Sequence, residues 1–318
     1  MDAGLLYRNA VIKSREATLL SAERLQRISD AASIEEAVRL LYEAGYPSGT
    51  SYDEILLSAE REAAQFFKSC LTAGYGLELF LVADDYHNAK VAAKAHYLGA
   101  AKEAYKPEGF LPYAVIESAL EKQEYAELPQ AMADAFLFLD KRKAKDDLYP
   151  SEADIELDKA AFRDICAREK GVSKIVKTYF STLADLKNIS IAYRAGKAGF
   201  SREKAEKMLL PAGEIDVKDL MKIYSFGEEA ADKIRVNRLV SDALDAIKVG
   251  TATYEVYMED TLLRLLKRER YDMFSPAPIA GYYVGKLREI KNIRLILARI
   301  ANGADKEIIR KRMRELYV

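Results

Sequence analysis

The amino-acid sequence predicts an all-α protein. Apolar residues recur at helical spacing along nearly the whole chain, and no long segment alternates apolar and polar residues as a half-buried strand does. Short stretches rich in Pro, Gly and Ser separate the helical segments, at residues 45–50, 106–112, 146–151, 211–214 and 275–278. None of them is long enough to be a flexible linker between domains. An internal repeat, described below, organises the helices into similar units.

The composition indicates a packed protein with a charged surface. Hydrophobic residues make up 50% of the 318 residues and charged residues 31%, which favours a soluble globule over a disordered chain. The 49 basic and 50 acidic side chains nearly balance, so no overall field draws the chain to nucleic acid or to anionic lipid. No apolar run approaches the roughly 18–20 residues that span a bilayer, and the N-terminus lacks a signal-peptide pattern. Cys70 and Cys166 form no CxxC motif, so we expect reduced thiols in a cytosolic protein.

The first predicted helices lie near the N-terminus. The segment "LYRNAVIKSREATLL" (6–20) carries Asn9 within an apolar pattern, and a second helix follows over residues 33–46. Gly45 ends that second helix. Its apolar face is formed by Ile34, Ala37, Val38, Leu41 and Tyr42.

Three further helices share a pattern that is centred on an asparagine. Asn88, Asn188 and Asn292 mark copies that start 100 and 104 residues apart. In each copy an acid lies three residues before the asparagine and a glycine lies eleven residues after it. The acids are Asp85, Asp185 and Glu289, and the glycines are Gly99, Gly199 and Gly303. Each glycine suits the position just after a helix, where the chain turns left-handed at little cost.

A second helix follows the first two copies by some two dozen residues, over 111–125 and 216–230. The helix over residues 33–46 follows Asn9 at a similar distance. This N-terminal match is weaker, because Leu6 and Leu20 replace the acid and the glycine there. These matches predict a chain built from similar helical units.

The last predicted helix covers residues 305–318, where one face carries Ile308, Ile309, Met313 and Leu316. The repeat as a whole predicts three helical units, over residues 1–109, 110–213 and 214–318. We expect them to be related by approximate three-fold symmetry.

The repeated acid and asparagine point to a structural clamp. Residues three apart share one helix face, so the two side chains of each pair lie side by side. A buried polar group costs roughly 1–3 kcal/mol if it is unpaired, so the pair suits a helix that locks onto a backbone loop or a basic side chain. The other interpretation is that the three pairs line a concave surface that grips a partner.

A catalytic interpretation is less favoured. The run "DDYHN" (84–88) resembles the aspartate-rich metal–diphosphate motifs of helical terpenoid enzymes. Asp84, however, becomes Ala184 and Arg288 in the other copies, so the shared pair needs no metal. Phosphate-binding glycine loops and GxSxG are missing, and His87 and His96 match no zinc spacing. We therefore expect no catalytic, cofactor-binding or metal site.

The C-terminal region is basic. Residues 286–318 contain ten Lys or Arg and four Asp or Glu. A solvated helix face is the usual explanation of such a run. An electrostatic footprint for an acidic protein surface or for lipid headgroups is the alternative.

The sequence resembles, over essentially its whole length, the C subunit of the bacterial and archaeal V-type (A-type) ATP synthases, the counterpart of the d subunit in eukaryotic vacuolar ATPases (V-ATPases). The segments that carry the resemblance are "YYVGKLREIKNIRLILARIANG...IIRKRMRELYV", "YFSTLADLKNISIAYRAG", "DDYHNAKVAAKAHYLG" and "GYPSGTSYDEIL". The first copy departs from the family pattern, because His87 and Ala89 replace more typically apolar residues.

This resemblance implies an all-helical, funnel-shaped socket of three similar domains. It implies a non-catalytic rotor subunit at the cytoplasmic face of the cell membrane, peripheral to the bilayer. Its partners would be the central axle subunits D and F and the proteolipid subunits of the membrane rotor ring, with no direct binding of nucleotide. Its role would be to couple ATP synthesis or hydrolysis to proton or sodium transport. A helical-repeat adaptor unrelated to ATPases is the alternative that the repeat alone would also allow.

Overall fold

A computed structural model describes residues 3–100, 105–107, 109–145, 148–168, 170–234 and 238–318 of the chain. Every regular element in this described part is helical, which confirms the all-α prediction. The helices are α1 (Ala3–Glu16), α2 (Ala22–Ser29), α3 (Ile34–Glu43), α4 (Tyr52–Ser69), α5 (Glu78–Leu98), α6 (Tyr113–Lys122), α7 (Gln130–Lys143), α8 (Pro150–Ala167), α9 (Lys174–Lys197), α10 (Arg202–Met208), α11 (Val217–Phe226), a 3₁₀ helix (Gly227–Asp232), α12 (Arg238–Val249), α13 (Thr251–Arg268), α14 (Ala277–Asn302) and α15 (Lys306–Arg310).

Serine and aspartate side chains begin many of these helices. In each case the side chain accepts a backbone N–H from the first turn, which satisfies a donor that has no partner inside the helix. The capping residues are Ser21, Ser33, Ser51, Ser201, Asp216 and Asp305. Helix starts are therefore set by local chemistry that the sequence displays.

The chain divides into two compact units, and the first combines its two ends. This terminal unit contains residues 1–72 and 245–318, and its longest helix is α14. The first nine residues of α14 are all buried, which is typical of a helix enclosed on every side. The ring of Phe67 on α4 stacks on that of Tyr283 with centroids 4.2 Å apart. The core joins residues from both ends: Leu20, Leu25, Ile28, Leu41, Ile55, Leu56, Ile290, Ile293, Ile296 and Leu297.

The second unit contains residues 73–244. Here α5 packs against α8, α7 packs against α8, and α9 packs against α11. Phe80 on α5 contacts Tyr179 and Phe180 on α9, with ring centroids 4.9 and 5.2 Å apart. The three-unit division at residues 109/110 and 213/214 stays a prediction.

Most predicted helices are present, with shorter bounds. Helix α3 matches the predicted segment 33–46, although Tyr42 is 42% exposed and lies off the buried face. Helix α6 falls within 111–125, and 216–230 divides into α11 and the 3₁₀ helix. Residues 108, 146 and 147, inside two of the predicted breaks, and the side chain of Ile308 lie outside what the structure describes.

The predicted C-terminal helix is wrong beyond Arg310. Helix α15 covers only Lys306–Arg310, and the last residues of the chain run without helix to Val318. The reason is tertiary: side chains of α13 and α14 bind the backbone of this tail, as described below, and a helix would withdraw those backbone groups. Helical periodicity in the tail could not reveal that competition.

Candidate functional site

The three repeated asparagines bind the backbone of a later segment in the same way. In each copy the side-chain Nδ2 donates to a backbone carbonyl while Oδ1 accepts the N–H of the same residue. Asn88 holds Lys106 at 3.2 and 2.9 Å, Asn188 holds Leu210 at 3.0 and 2.7 Å, and Asn292 holds Arg314 at 2.9 and 2.8 Å. All three asparagines are at most 3% exposed. A planar carboxamide thus satisfies both polar groups of one residue's backbone. In the second and third copies these hydrogen bonds are buried, so their loss would leave buried polar groups without these partners.

The acid of each pair holds a second backbone position. Asp85 accepts the N–H of Leu111, Asp185 that of Ile215, and Glu289 that of Leu20, at 3.2, 2.9 and 2.6 Å. These three residues share one feature: each lies directly before the capping residue of a short helix. The acids therefore fix where α6, α11 and α2 begin.

The third copy is completed by the N-terminal end of the chain. Glu289 on α14 binds Leu20 and also accepts the Tyr46 hydroxyl at 2.5 Å. The helix whose start Glu289 binds is α2, as Asp85 binds the start of α6 and Asp185 that of α11. The sequence analysis did not predict this contact, because Leu20 and Glu289 lie 269 residues apart in the chain.

Asn9 itself clamps a different turn. Its Nδ2 donates to the carbonyl oxygens of Met273 and Ser275, each at 2.9 Å, in the turn between α13 and α14. Asn9 thus binds backbone, as the other three asparagines do, but it does not hold both polar groups of a single residue.

The three glycines end the asparagine helices in the left-handed conformation. Gly99, Gly199 and Gly303 have φ of 67°, 67° and 64°. A Cβ at any of them would meet no atom within 4 Å, so backbone conformation alone explains the residue type there.

Burial changes the titration of two clamp carboxyls. Desolvation raises the pKa of Asp85 and of Asp185 to about 6, although backbone N–H groups that bind each carboxylate oppose the shift. Both side chains are at most 5% exposed. Burial and the neighbouring Glu289 carboxylate also raise the pKa of the Tyr46 hydroxyl well above its usual value.

Two loop glycines pack directly on the clamps. A Cβ at Gly109 would press on the Asp85 carboxylate, and one at Gly213 would press on the Asp185 carboxylate. Both glycines lie in stretches that the sequence analysis treated only as breaks. Each contact with the repeated acid forms only on folding, so nothing in the sequence pattern pointed to these two glycines.

Partly buried ion pairs recur beside the clamps. Asp158 on α8 binds both Lys90 on α5 and Lys187 on α9 at 2.9 Å. In the terminal unit Glu259 on α13 binds Lys291 and Arg314, at 2.6 and 3.1 Å. Lys187 and Lys291 each directly precede the repeated asparagine.

These ion pairs shift the pKa values of their members. Burial acts to raise the pKa of Asp158, but the two ammonium groups hold it below its usual value. Burial lowers the pKa of Lys187. The sequence alone does not identify these ion pairs, because the carboxylates lie on other helices.

The C-terminal tail is held by a series of side chains in the terminal unit. Besides Asn292, Asp260 accepts the N–H of Glu315 at 2.9 Å, and Lys267 donates to the carbonyl of Leu316 at 2.8 Å. Tyr317 is 1% exposed and lies against Gly281 and Gly285 of α14, where a Cβ would collide with it. Glycine at these positions makes room for the tail.

Much of the C-terminal basic charge is used inside the molecule. Seven of the ten cations in residues 286–318 form ion pairs: Lys286, Arg288, Lys291, Arg294, Lys306, Arg310 and Arg314. Their partners include Glu60 on α4, Asp260 on α13 and Asp30 just after α2. This region is therefore a poor candidate for an electrostatic footprint.

The aspartates of the "DDYHN" run are engaged in internal contacts. The Lys106 ammonium donates to Asp84 at 2.7 Å, and Asp85 accepts N–H groups from Phe110 and Leu111. Within the described residues, no group of three or more His, Cys, Asp or Glu side chains is arranged to hold a metal ion. The geometry thus gives the diphosphate interpretation no support.

The helices were also compared with the length and apolar character of membrane-spanning segments. None of the helices in the described ranges combines the length and the apolar character that crossing a bilayer requires.

Comparison with known proteins identifies the family. A sequence model described as ATP synthase (C/AC39) subunit matches residues 8–312. The C subunit of the A-type ATP synthase of Desulfurococcus sp. (strain SY) is 26% identical, over 96% of this chain and 89% of the relative. The C subunit of the V-type sodium ATPase of Enterococcus hirae is 23% identical, over 97% of this chain and 98% of the relative.

A third relative, the C subunit of the A-type ATP synthase of Methanococcoides burtonii, is 22% identical over 96% of this chain and 93% of the relative. The family match extends from α1 into the C-terminal tail and includes all three repeated asparagines. The chain belongs to the ATP synthase (C/AC39) subunit family.

Proposed function

We propose that this chain is a non-catalytic central-stalk subunit of a rotary A/V-type ATP synthase or ATPase. In this role it joins the axle subunits D and F to the proteolipid ring at the cytoplasmic face of the membrane. It passes torque between the ATP-handling head and the ion-carrying ring, and it binds no nucleotide itself. The observation that carries the proposal is the family match over residues 8–312, with relatives that align along nearly their full length.

The clamps support a mechanical role. A part that transmits torque must resist bending, and buried hydrogen bonds that join long helices to distant loops oppose such deformation. Each asparagine helix is bound at two backbone positions, as Asn188 and Asp185 show on α9. The Asp158 carboxylate adds a bridge between α5 and α9.

The proposal includes three similar units around a common axis, which would form a funnel-shaped socket for the axle. The support for it is the repeat itself: three asparagine helices whose acids bind the entrance of α6, α11 and α2. A three-fold pseudo-symmetric socket suits a rotating shaft, because it presents similar walls in each direction.

Co-purification from the native host tests this function. Washed membranes would be solubilised in mild detergent and the tagged chain recovered, with an identically tagged soluble protein as the control. We expect the ring proteolipid to be recovered together with axle and head subunits. Recovery of the chain alone, from preparations in which the rotary complex is intact, would refute the proposal and favour a helical adaptor.

Depletion of the chain tests its non-catalytic character separately. We expect ATP hydrolysis by the released head to persist while ATP-driven ion transport into membrane vesicles is lost. If hydrolysis by the purified head required this chain, the non-catalytic assignment would be wrong.

A further inference from the structure

Helices α13 and α14 hold the C-terminal segment, residues 313–318, by the backbone of four consecutive residues, 314–317. The hydrogen bonds measure 2.8–3.2 Å. In the order of the residues that they bind, the four side chains are Asn292, Asp260, Lys267 and Arg270. The segment forms no regular structure, so its backbone groups are free for these contacts. A groove binds an extended peptide in the same manner, through main-chain hydrogen bonds.

This tail groove, formed by the four side chains above with Gly281 and Gly285, has a slot for one aromatic ring. Tyr317 is 1% exposed, and a Cβ at Gly281 or Gly285 would collide with it. The three nearest atoms that a Cβ at Gly285 would meet all belong to Tyr317. Neither glycine has a positive φ, so the backbone of α14 does not require glycine there. Room for the ring therefore explains both glycines.

Charged side chains along the groove complement those of the segment. Glu259 binds Arg314 at 3.1 Å, and Arg264 and Lys267 bind Glu315 at 2.6 and 2.9 Å. Opposite charges at fixed positions contribute specificity and register. A cation, an anion and, two residues further on, an aromatic ring each have a matching partner, so the groove selects the pattern Arg-Glu-X-Tyr.

The walls of the groove are held together by contacts that do not involve the segment. Helix α14 packs against α1, α4 and α13. Tyr317 is buried, whereas Met313 and Leu316 are only half-buried. The link between α14 and the segment is exposed over residues 303–307 and 310–312. The segment can therefore leave without unwinding a long helix, and the groove remains when it does.

We infer that the tail groove is a peptide-binding site whose ligand is the C-terminal segment of the same chain, released and rebound without unfolding of the terminal unit. The class of ligand is an extended peptide with the pattern Arg-Glu-X-Tyr. A short link keeps such a ligand at an effective concentration of about 1 mM, so a segment of micromolar affinity occupies the groove most of the time. The inference does not depend on the proposed function.

Cutting the link after folding tests the inference. A protease recognition sequence would be inserted between Ala304 and Asp305, so that the full-length chain folds before it is cut. This position keeps the hydrogen bond from the Ala304 N–H to the Arg299 carbonyl and the Asp305 cap of α15. We expect a fluorescent peptide of residues 305–318, added in excess, to replace the cut segment one to one in anisotropy measurements. The helix content of the remaining chain should stay unchanged by circular dichroism.

Peptide variants locate the contact. We expect Tyr317→Ala in the peptide to weaken binding about tenfold or more, because the slot is left empty. Glu315→Lys should weaken it by a similar factor, because it places a cation against Arg264 and Lys267. Lys311→Ala is the matched control: this exposed side chain precedes the segment, and binding should stay unchanged.

A variant of the groove tests the same site in the uncut chain. Gly285→Ala fills the slot, while alanine favours the helix, so α14 should persist. We expect the backbone amides of residues 314–317 to exchange with deuterium at least about tenfold faster than in the unmodified chain. The cut protein with this change should no longer bind the peptide.

Three results would overturn the inference: loss of helix in the terminal unit when the segment is released, no saturable binding of the unmodified peptide, or equal binding of the Tyr317→Ala peptide. The first would show that the segment is an integral part of the core. Co-purification of the rotary complex tests the proposed function separately, and neither experiment decides the other.

Discussion

A buried asparagine on a helix stabilises a fold only when its carboxamide meets polar groups that would otherwise be unpaired. Asn188 does this for Leu210, whose N–H and C=O both bind the one side chain. The sequence identified the asparagine, its acid and its glycine by their spacing. It could not identify Leu210, because the identity of a backbone partner leaves no mark on its side chain.

Replacing Asn188 with Leu should therefore destabilise the protein strongly. Two buried backbone groups would lose their partners at about 1–3 kcal/mol each, so we expect the free energy of unfolding to fall by about 2–6 kcal/mol. Asn302→Leu, on the exposed end of α14, should change it by about 0.5 kcal/mol or less. Urea denaturation of the isolated chain measures both. Unchanged stability with weakened axle binding would show instead that the clamp contacts a partner.

The pKa of Asp185 predicts an unusual pH dependence. Burial raises the pKa from 3.8 to about 6, so between these values the folded state binds more protons than the unfolded state. The contribution of this carboxyl to stability is therefore largest at low pH and is lost as the pH rises through about 6.

From this we expect the protonation of Asp185 to contribute about 1 kcal/mol more stability at pH 5 than at pH 7. In the variant Asp185→Asn this side chain cannot ionise. The difference in the free energy of unfolding between the unmodified protein and the variant should therefore fall by about 1 kcal/mol from pH 5 to pH 7. The control is Asp134→Asn on the exposed face of α7, which keeps the Asp185 carboxyl and should therefore keep the pH dependence that this carboxyl causes. Denaturant titrations at four pH values provide the measurement, and a parallel profile for Asp185→Asn would contradict the assigned pKa.

At the scale of the helices, sequence periodicity and helix-ending glycines act within a few residues, and they predicted α1, α3, α5, α6, α9, α11 and α14. The segment after Arg310 was mispredicted because its backbone is bound by Asn292, Asp260 and Lys267. The close approach of α9 to α11 was also missed. A Cβ at Gly196 would collide with the carbonyl oxygen of Tyr224, and that need for glycine is visible only once the helices are packed.

Gly196, in the last turn of α9, and Gly199, just after this helix, should respond differently to substitution. Gly196 is required by contact, so Gly196→Ala should cost about 1–3 kcal/mol and Gly196→Asn at least as much. Gly199 is required by its φ of 67°, so Gly199→Ala should cost about 1–2 kcal/mol. Gly199→Asn should cost less than Gly199→Ala, because asparagine tolerates the left-handed region. Thermal or urea unfolding of the four variants measures the ranking, and the same order at both positions would show that one of these two explanations is wrong.

At the scale of the whole molecule, the two ends of the chain build one core. Leu20, Leu41 and Ile55 from the N-terminal end pack with Ile293 and Ile296 from α14. The internal repeat predicted three units that follow one another along the chain. A single sequence does not show that Glu289, near one end, binds the start of α2, near the other.

This shared core predicts that the terminal unit can be reassembled from two pieces. Fragments 1–72 and 250–318 each carry only half of the core, so each alone should remain largely unfolded, because half a core cannot offset the conformational entropy of ordering the chain. Mixed together, they should associate and gain helix, since Glu289 regains Leu20 and Tyr46 and the apolar faces meet.

The measurement is circular dichroism of each fragment and of their equimolar mixture, with size-exclusion chromatography to detect a 1:1 complex. Ile293→Asp in the second fragment is the control, because a carboxylate in this fully buried position should abolish association. Exposed Arg310→Asp leaves the core untouched and should preserve it. Independent folding of either fragment, or association that survives Ile293→Asp, would show that the two ends do not depend on one another for their core.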